Sequence, residues 1–338
     1  MSYALSLLDK SPLQKGETAV EALARTVALA RKAEQLGYRR FWVAEHHNSA
    51  ELASPSPELL AAYLAANTAR IRIGTGGVML QHYSAYKVAE NFKLLASLAP
   101  GRIDLGVGKA PGGLPLSTRA LQWHYDQAGK PGFAEQVAQI AAFLGEGFEA
   151  PHPLAGVKAT PEVAIPPERF LLGTGEDSAA LAARHGWGFV YAAHLNGDAA
   201  HLERALDAYR AGGGATPIIA LAAIVAEDPA DIAPHITDKT VFRVTLNDGR
   251  SVNVGSRERV ENFLREVGVD PADTQAYRVA ENRPSILHGT PDAVERELEA
   301  LGARYGVHEF IIDLPVADEA VRFGTAELLA RRRLDSAA

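Results

Sequence analysis

The stretch that decides the fold is Ile71–Gly113, IRIGTGGVMLQHYSAYKVAENFKLLASLAPGRIDLGVGKAPGG. An apolar run that contains a glycine pair is followed by a helical segment and by a second apolar run, which ends at Gly108-Lys109-Ala110. Two buried strands joined by a crossover helix are typical of a βα unit with parallel strands. The stretch therefore predicts a parallel sheet covered by helices.

The same alternation continues along most of the chain. Eight apolar segments are predicted as strands, at residues 3–8, 40–45, 71–80, 102–109, 169–173, 188–193, 218–227 and 309–314. Eight such strands with crossover helices predict a (β/α)₈ barrel. An open dinucleotide-binding sheet is disfavoured, because the first strand is followed by Asp9-Lys10-Ser11-Pro12 and not by Gly-x-Gly-x-x-Gly.

Two segments interrupt the alternation, and we expect both to be insertions in a single-domain barrel formed by residues 1–338. The first, residues 110–167, begins with a glycine- and proline-rich crossover at 110–131 and a predicted helix from 133 to about 144, and its residues 145–167, with five prolines, predict an excursion over the barrel mouth. Residues 228–288 contain a hairpin signal at Asn247-Asp248-Gly249, followed by a helix from about Arg257 to Val267. Arg278 and Arg283 in this second insertion are candidates for contact with an anionic substrate, or else solvated surface.

The composition excludes several classes of function. The 338 residues are 47% hydrophobic and carry a net charge of −7, so no basic face for nucleic acid is expected. The absence of cysteine excludes disulfides, thiolate nucleophiles and Cys-ligated metals, and we expect no metal site. The longest apolar run, residues 217–226, is too short to span a bilayer, and residues 3–8 lack the basic lead-in of a signal peptide. We expect a cytoplasmic protein.

The active site of such a barrel lies at the carboxyl ends of its strands. Ionisable residues at or beside the predicted strand ends are Asp9, Glu45, His46, His47, His82, Lys109, His194 and Asp313. Histidine is the usual carrier of protons near neutral pH, although each of these imidazoles could instead make a structural hydrogen bond.

Two glycine-containing segments point to a bound ligand. Gly76 and Gly77 interrupt a predicted strand, which marks a bulge, close packing or the close approach of a ligand. The turn Leu172–Ser178 leads from a strand into a helix, and its helix amides with the Thr174 and Ser178 hydroxyls can accept a phosphate. Simple N-capping by Ser178 is the alternative. Lys109 at the neighbouring strand end could supply positive charge.

Three segments, Phe41–His47, Arg72–Leu80 and Gly101–Gly112, together resemble the bacterial luciferase-like monooxygenases, a family of flavin enzymes. The resemblance implies a (β/α)₈ barrel that binds reduced flavin mononucleotide (FMN) and activates dioxygen as a flavin C4a-hydroperoxide. It also implies a separate flavin reductase as the FMN donor, and a homodimer. For the dimer we expect a contact through the second and third helices, with Leu59, Leu60 and Leu64 as examples.

The resemblance assigns roles to particular residues. His46 matches the catalytic histidine, and the Gly76-Gly77 pair matches a non-proline cis peptide that supports the isoalloxazine ring. Thr174, Gly175 and Ser178 match the phosphate loop. Lys109 stands where the family usually has arginine, which keeps the charge but loses the bidentate fork.

These observations favour a flavin-dependent monooxygenase that oxygenates a small organic molecule such as an aldehyde, alkane, sulfonate or thioether. His46 should project into the barrel mouth, while Glu45, on the opposite face of the strand, orients its neighbours. Glu45, His82 and His194 are expected to contact the substrate or to support the residues that do. The alternatives are a deazaflavin (F420)-dependent oxidoreductase of the same superfamily, a Schiff-base enzyme using Lys109, and a non-catalytic flavin-binding protein.

Overall fold

The computed structural model describes residues 3–237 and 239–337, with side chains described as far as residue 331. The strands are β1 (Ala4–Asp9), β2 (Arg40–Val43), β3 (Arg72–Thr75), β4 (Val78–Met79), β5 (Ile103–Gly108), β6 (Glu168–Gly173), β7 (Gly188–Ala192), β8 (Ile218–Val225), β9 (Val241–Leu246), β10 (Ser251–Val254), β11 (Tyr277–Asn282), β12 (Ile286–Gly289) and β13 (Glu309–Asp313). The helices are α1 (Ala19–Gln35), α2 (Pro57–Ala66), α3 (Ala85–Leu98), α4 (Pro115–Leu121), α5 (Phe133–Leu144), α6 (Glu176–Arg184), α7 (Ala199–Ala211), α8 (Ala233–Ile236), α9 (Arg257–Glu266), α10 (Pro291–Tyr305) and α11 (Glu319–Ala337).

Eight parallel strands close into a ring, which confirms the predicted (β/α)₈ barrel. Their order around the ring is β8, β13, β1, β2, β3, β5, β6 and β7, and β7 pairs again with β8. The first strand thereby lies beside the last, with Leu8 in register with Asp313. All strand carboxyl ends therefore meet at one mouth.

The helices form where the sequence supplies their end signals. Thr18 caps α1 by accepting a hydrogen bond from the Glu21 amide, and Glu21 bonds back to the Thr18 amide, which makes the predicted capping box. Pro57 occupies the first turn of α2. Among the described residues, no helix is long and apolar enough to cross a membrane.

The predicted continuous strand 71–80 is wrong. β3 ends at Thr75, a cis peptide joins Gly76 to Gly77, and β4 is followed by a short 3₁₀ turn over Leu80–His82. The Thr75 side chain accounts for the break in the ladder. Its hydroxyl donates to the Gly106 carbonyl and accepts from the Gly106 amide, so a side chain makes the bonds that the backbone would otherwise make.

Both interrupting segments contain more regular structure than the sequence pattern indicated. Residues 110–131 include the short helix α4, and the predicted hairpin β9–β10 gains a third antiparallel strand, β11. One face of this three-stranded sheet packs its buried apolar side chains against α9. The sheet and α9 together form the inserted cap, residues 241–282.

The end of the barrel opposite the mouth is closed by a buried ionic cluster. Arg40 hydrogen-bonds Asp104 at 2.9 Å and Glu309 at 2.8 Å, and Arg72 hydrogen-bonds the other oxygen of Asp104 at 2.6 Å. The indole of Trp42 also donates to Asp104. Because residues at this end of such barrels serve stability, we assign the cluster a structural role.

Candidate active site

The floor of the mouth is formed by an ion pair between the first and last barrel strands. Lys10 follows β1, and its ammonium lies 2.7 Å from Oδ2 of Asp313, the last residue of β13. The other Asp313 oxygen is buried without a hydrogen-bond partner among the described residues. Burial alone would raise the pKa of the Asp313 carboxyl, but Lys10, His194 and Arg322 together outweigh burial and hold that pKa below its ordinary value. The Asp313 carboxyl thus stays ionised near neutral pH.

His46 stands beside this ion pair, after the end of β2. Its amide donates to the Ser54 carbonyl, and its Nδ1 is buried with no hydrogen-bond partner in the described chain. Burial, and after it the positive charge of Lys10, lowers the pKa of His46 to about 4. The imidazole is therefore neutral near pH 7, and the hydrogen-bonding position at its Nδ1 is unused by the described residues.

A cavity of about 560 Å³ opens over His46 and is named the His46 cavity here. Its walls come from the segments after β2 and β5 and from the inserted cap, including Asn253 and Arg259. Arg259 reaches across to hydrogen-bond Ser49 at 3.2 Å. The inserted cap therefore covers part of the barrel mouth.

Glu45 is fully buried and organises the residues around His46. Its carboxylate accepts hydrogen bonds from the Met79 amide at 2.8 Å and from the Tyr83 hydroxyl at 2.8 Å. His47 Nε2 lies 2.6 Å from the same carboxylate and donates to it, because an ionised carboxylate can only accept. Glu45 and His47 thus hold the geometry of the loop that carries His46.

His82 is a structural residue in this geometry. Its Nε2 lies 2.8 Å from the Pro111 carbonyl and must donate, which leaves Nδ1 to accept from the Gln122 side chain at 2.9 Å. Burial lowers the pKa of His82, and both ring nitrogens are already bonded. His82 therefore ties the β4 region to the segment before α4 and has no free nitrogen for a substrate.

His194 follows β7 and is near enough to the Lys10–Asp313 pair for both charges to act on its imidazole. Its Nδ1 is 3.4 Å from the Ala220 carbonyl. Burial lowers the pKa of His194 to about 4, although the negative charge of Asp313 acts to raise it. It lines a second cavity of about 450 Å³, named the His194 cavity here. Asn253 of the inserted cap borders both cavities, so they adjoin.

The Gly76-Gly77 peptide is cis, as the resemblance implied. A Cβ at Gly76 would meet Leu8 at 2.7 Å, and one at Gly77 would meet the Gly106 carbonyl oxygen at 2.7 Å. The directions in which these side chains would point are thus filled by protein atoms. Close packing explains why both residues are glycine.

Lys109 and the turn Thr174–Ser178 lie on adjacent strand ends, because Gly108 pairs with Leu172. Gly175 is the N-cap of α6 and has open space around its Cα; no side chain caps this helix. Ser178 is therefore not the N-cap, contrary to the alternative considered from sequence. The Lys109 ammonium is exposed and has no ion-pair partner in the described part of the chain.

Uncapped helix amides beside an unpaired ammonium fit a phosphate group. Two carboxylates in the first turn of α6, Glu176 and Asp177, oppose an anion, although Glu176 is paired with Arg204 at 3.0 Å. The residues present therefore fit the phosphate of a flavin nucleotide at this end of the mouth.

Sequence reasoning missed Lys10, Arg243 and Arg259. Lys10 could have been found, because it follows a predicted strand end and a closed barrel brings the first strand beside the last. Arg243 and Arg259 belong to the inserted cap, and no pattern in the chain tells which of its faces meets the mouth.

Comparison with known proteins gives a family. A sequence model described as luciferase-like monooxygenase matches residues 1–309. N-acetyl-S-alkylcysteine monooxygenase of Bacillus subtilis (strain 168) is 43% identical over 330 residues, which cover 96% of this chain and 97% of the relative. The crystal structure of apo-MsnO8 has a TM-score of 0.77 at 30% identity and covers 98% of both chains.

A fold match comes from an FMN complex of the oxygenating constituent of 3,6-diketocamphane monooxygenase from Pseudomonas putida, a type II Baeyer–Villiger monooxygenase. It has a TM-score of 0.65 at 18% identity and covers 98% of both chains. Because the family model spans most of the sequence and the Bacillus relative is similar over nearly its full length, this chain belongs to the luciferase-like monooxygenase family.

Proposed function

We propose that this chain uses reduced FMN and dioxygen to insert one oxygen atom into a small thioether substrate. The strongest support comes from His46, a neutral imidazole that lines a cavity at the barrel mouth and whose buried Nδ1 has no hydrogen-bond partner among the described residues. Such a nitrogen can take or share a proton with a bound molecule without first losing one of its own.

FMN would be held at its phosphate end by Lys109 and by the α6 turn, through Thr174, Gly175 and Ser178. The cis Gly76-Gly77 segment would lie beside the ring, between β3 and β4. Reduced FMN would supply the two electrons that reduce dioxygen, with one oxygen atom going to the substrate and the other leaving as water.

The chain's own residues then have separable tasks. His46 holds or moves a proton at Nδ1. Glu45 fixes the loop that carries His46, because its carboxylate accepts hydrogen bonds from His47, Tyr83 and the Met79 amide. The inserted cap keeps water from the mouth, which favours oxygen transfer over wasteful release of reduced oxygen species. Lys10 and Asp313 provide a fixed charge pair beneath the reacting groups.

The substrate class rests on the Bacillus relative, whose name states an N-acetyl-S-alkylcysteine substrate. Its 43% identity over nearly the whole chain makes a thioether the first of the small organic classes to test. Thioethers were among the substrates that the family resemblance allowed from sequence.

We also propose a homodimer and a separate flavin reductase. The reductase is proposed on family resemblance alone. α2 and α3 expose apolar side chains to solvent, and Leu59 and Leu98 are each 70% exposed. Leu64, which was expected on the same surface, instead lies fully buried in the barrel core, because it is on the inner side of α2. The exposed apolar face suits a second copy of the chain.

The proposal is tested with reduced FMN, N-acetyl-S-methylcysteine and dioxygen labelled with oxygen-18. We expect a product carrying one labelled atom that requires both the chain and reduced FMN. His46→Gln should leave FMN affinity within a few-fold yet lower the rate by roughly 10²–10⁴, the usual weight of acid–base help. Unlabelled product, or turnover with a reduced deazaflavin and no oxygen, would contradict the proposal.

A further inference from the structure

The inserted cap turns a polar, cationic face toward the barrel mouth. Along β9, Phe242, Val244 and Leu246 are buried against α9, so the residues between them lie on the opposite face. Arg243 is on that opposite face, in register with Asn253 of β10 and Ala280 of β11. The cap therefore has an apolar side for its own core and a polar side for the mouth.

Two guanidinium groups from this region line the His194 cavity. Arg243 comes from β9, and Arg283 comes from the segment after β11. The side chains of Asn253, Asn282 and Ser285 line the same cavity and add neutral hydrogen-bonding groups. The arrangement is that of a small polar pocket with two cationic donors.

Neither guanidinium is neutralised by the part of the chain that the structure describes. Arg243 and Arg283 have no ion pair or hydrogen bond there, and no carboxylate lines the cavity. Glu281, the nearest carboxylate in sequence, is in register with Phe242 and so lies on the other face, where it pairs with Arg257. Both arginines are exposed, and because they line the same cavity without an anionic partner there, they offer a site for an anion from outside the chain.

We propose that Arg243 and Arg283 bind the carboxylate of the substrate, so that this enzyme selects acidic thioethers over neutral ones. This inference rests on the proposed function, whose substrate it describes more closely. Asn253 borders both cavities, so a substrate anchored by its carboxylate in the His194 cavity extends toward the neutral imidazole of His46. Guanidinium groups suit this task because their planar forks match a carboxylate.

The flavin phosphate is the other anion that these arginines could meet, and the test separates the two. N-acetyl-S-methylcysteine and its neutral carboxamide are titrated by calorimetry into the full chain, with and without oxidised FMN. FMN itself is titrated in parallel. Arg243→Gln and Arg283→Gln are compared with Arg278→Gln, a matched control on the same face of the sheet that is exposed and does not line the cavity. Circular dichroism confirms that each variant is folded.

The wild-type chain should bind the acid at least about tenfold more tightly than the carboxamide, the weight of a charged hydrogen bond. The affinity of each cavity variant for the acid should fall about tenfold, while its affinities for the carboxamide and for FMN stay unchanged. Arg278→Gln should bind all three ligands as the wild type does. Equal binding of acid and carboxamide, no binding of the acid, unchanged cavity variants, or a loss confined to FMN would each overturn the inference. If the acid binds but is not oxygenated, the proposed function is wrong, whereas the assignment of the carboxylate site to Arg243 and Arg283 still holds.

Discussion

The buried imidazole of His46 should make the protein sensitive to acid. Burial lowers its pKa from an ordinary 6.5 to about 4, so between these values the unfolded chain binds a proton that the native chain does not. Stability is therefore present above pH 6.5 and is lost as the pH falls toward 4. With about 1.4 kcal/mol per pKa unit, the loss from this one group is about 2 kcal/mol at pH 5 and about 3 kcal/mol at pH 4.

The measurement is the free energy of unfolding by denaturant at pH 7 and at pH 5, for the wild type and for His46→Gln. Other groups titrate over the same range, so the difference between the two proteins isolates the imidazole. The variant should lose about 2 kcal/mol less than the wild type over this interval. His124→Gln, which removes an exposed histidine, is the matched control and should lose as much as the wild type.

Equal losses in the wild type and His46→Gln would refute the reasoning, because they would mean that His46 is protonated alike in the native and unfolded chains. The same measurement can be made with a His194 variant, since the pKa of His194 is also lowered to about 4, mainly by burial. The two losses should not simply add, because both imidazoles share Lys10 and Asp313 as charged neighbours.

Three further predictions concern the cofactor, the barrel end and the dimer. Lys109→Met should weaken FMN binding about tenfold by fluorescence titration, because it removes an unpaired cation at the strand end next to the α6 turn; an unchanged affinity would mean that the phosphate binds elsewhere. Asp104→Ala should lower the free energy of unfolding by about 3 kcal/mol or more, because Arg40 and Arg72 lose the buried carboxylate with which both are paired. A decrease below about 1 kcal/mol would contradict the structural role of the cluster. Leu59→Glu should shift the sedimentation of a dimer toward the monomer, and a wild-type chain that is already monomeric at micromolar concentration would end the dimer proposal.

The barrel could be predicted because its signals are local. Each strand is an apolar run of ordinary length, and end signals such as Thr18 with Glu21 mark the helices between them. Once the strands are known, their carboxyl ends and the residues there follow from the fold class. His46, Lys109 and the Thr174–Ser178 turn were therefore within reach of sequence reasoning as candidates.

What could not be predicted depends on contacts between distant segments. Both nitrogens of His82 are bonded by the segment 111–122, which shows no periodic pattern in the sequence. Arg243 and Arg278 lie on the same face of the inserted cap, and which of them reaches the His194 cavity depends on how the cap packs on the barrel, so Arg243 could not be chosen in advance. The break after Thr75 arose from a side-chain hydrogen bond to the neighbouring strand, which no apolar pattern encodes.

The central claim, that reduced FMN is the cofactor, is tested most directly by anaerobic titration of the chain with reduced FMN and, separately, with reduced F420. We expect saturable binding of reduced FMN at micromolar concentration and much weaker binding of the deazaflavin. Tight binding of reduced F420 with none of reduced FMN would contradict the account.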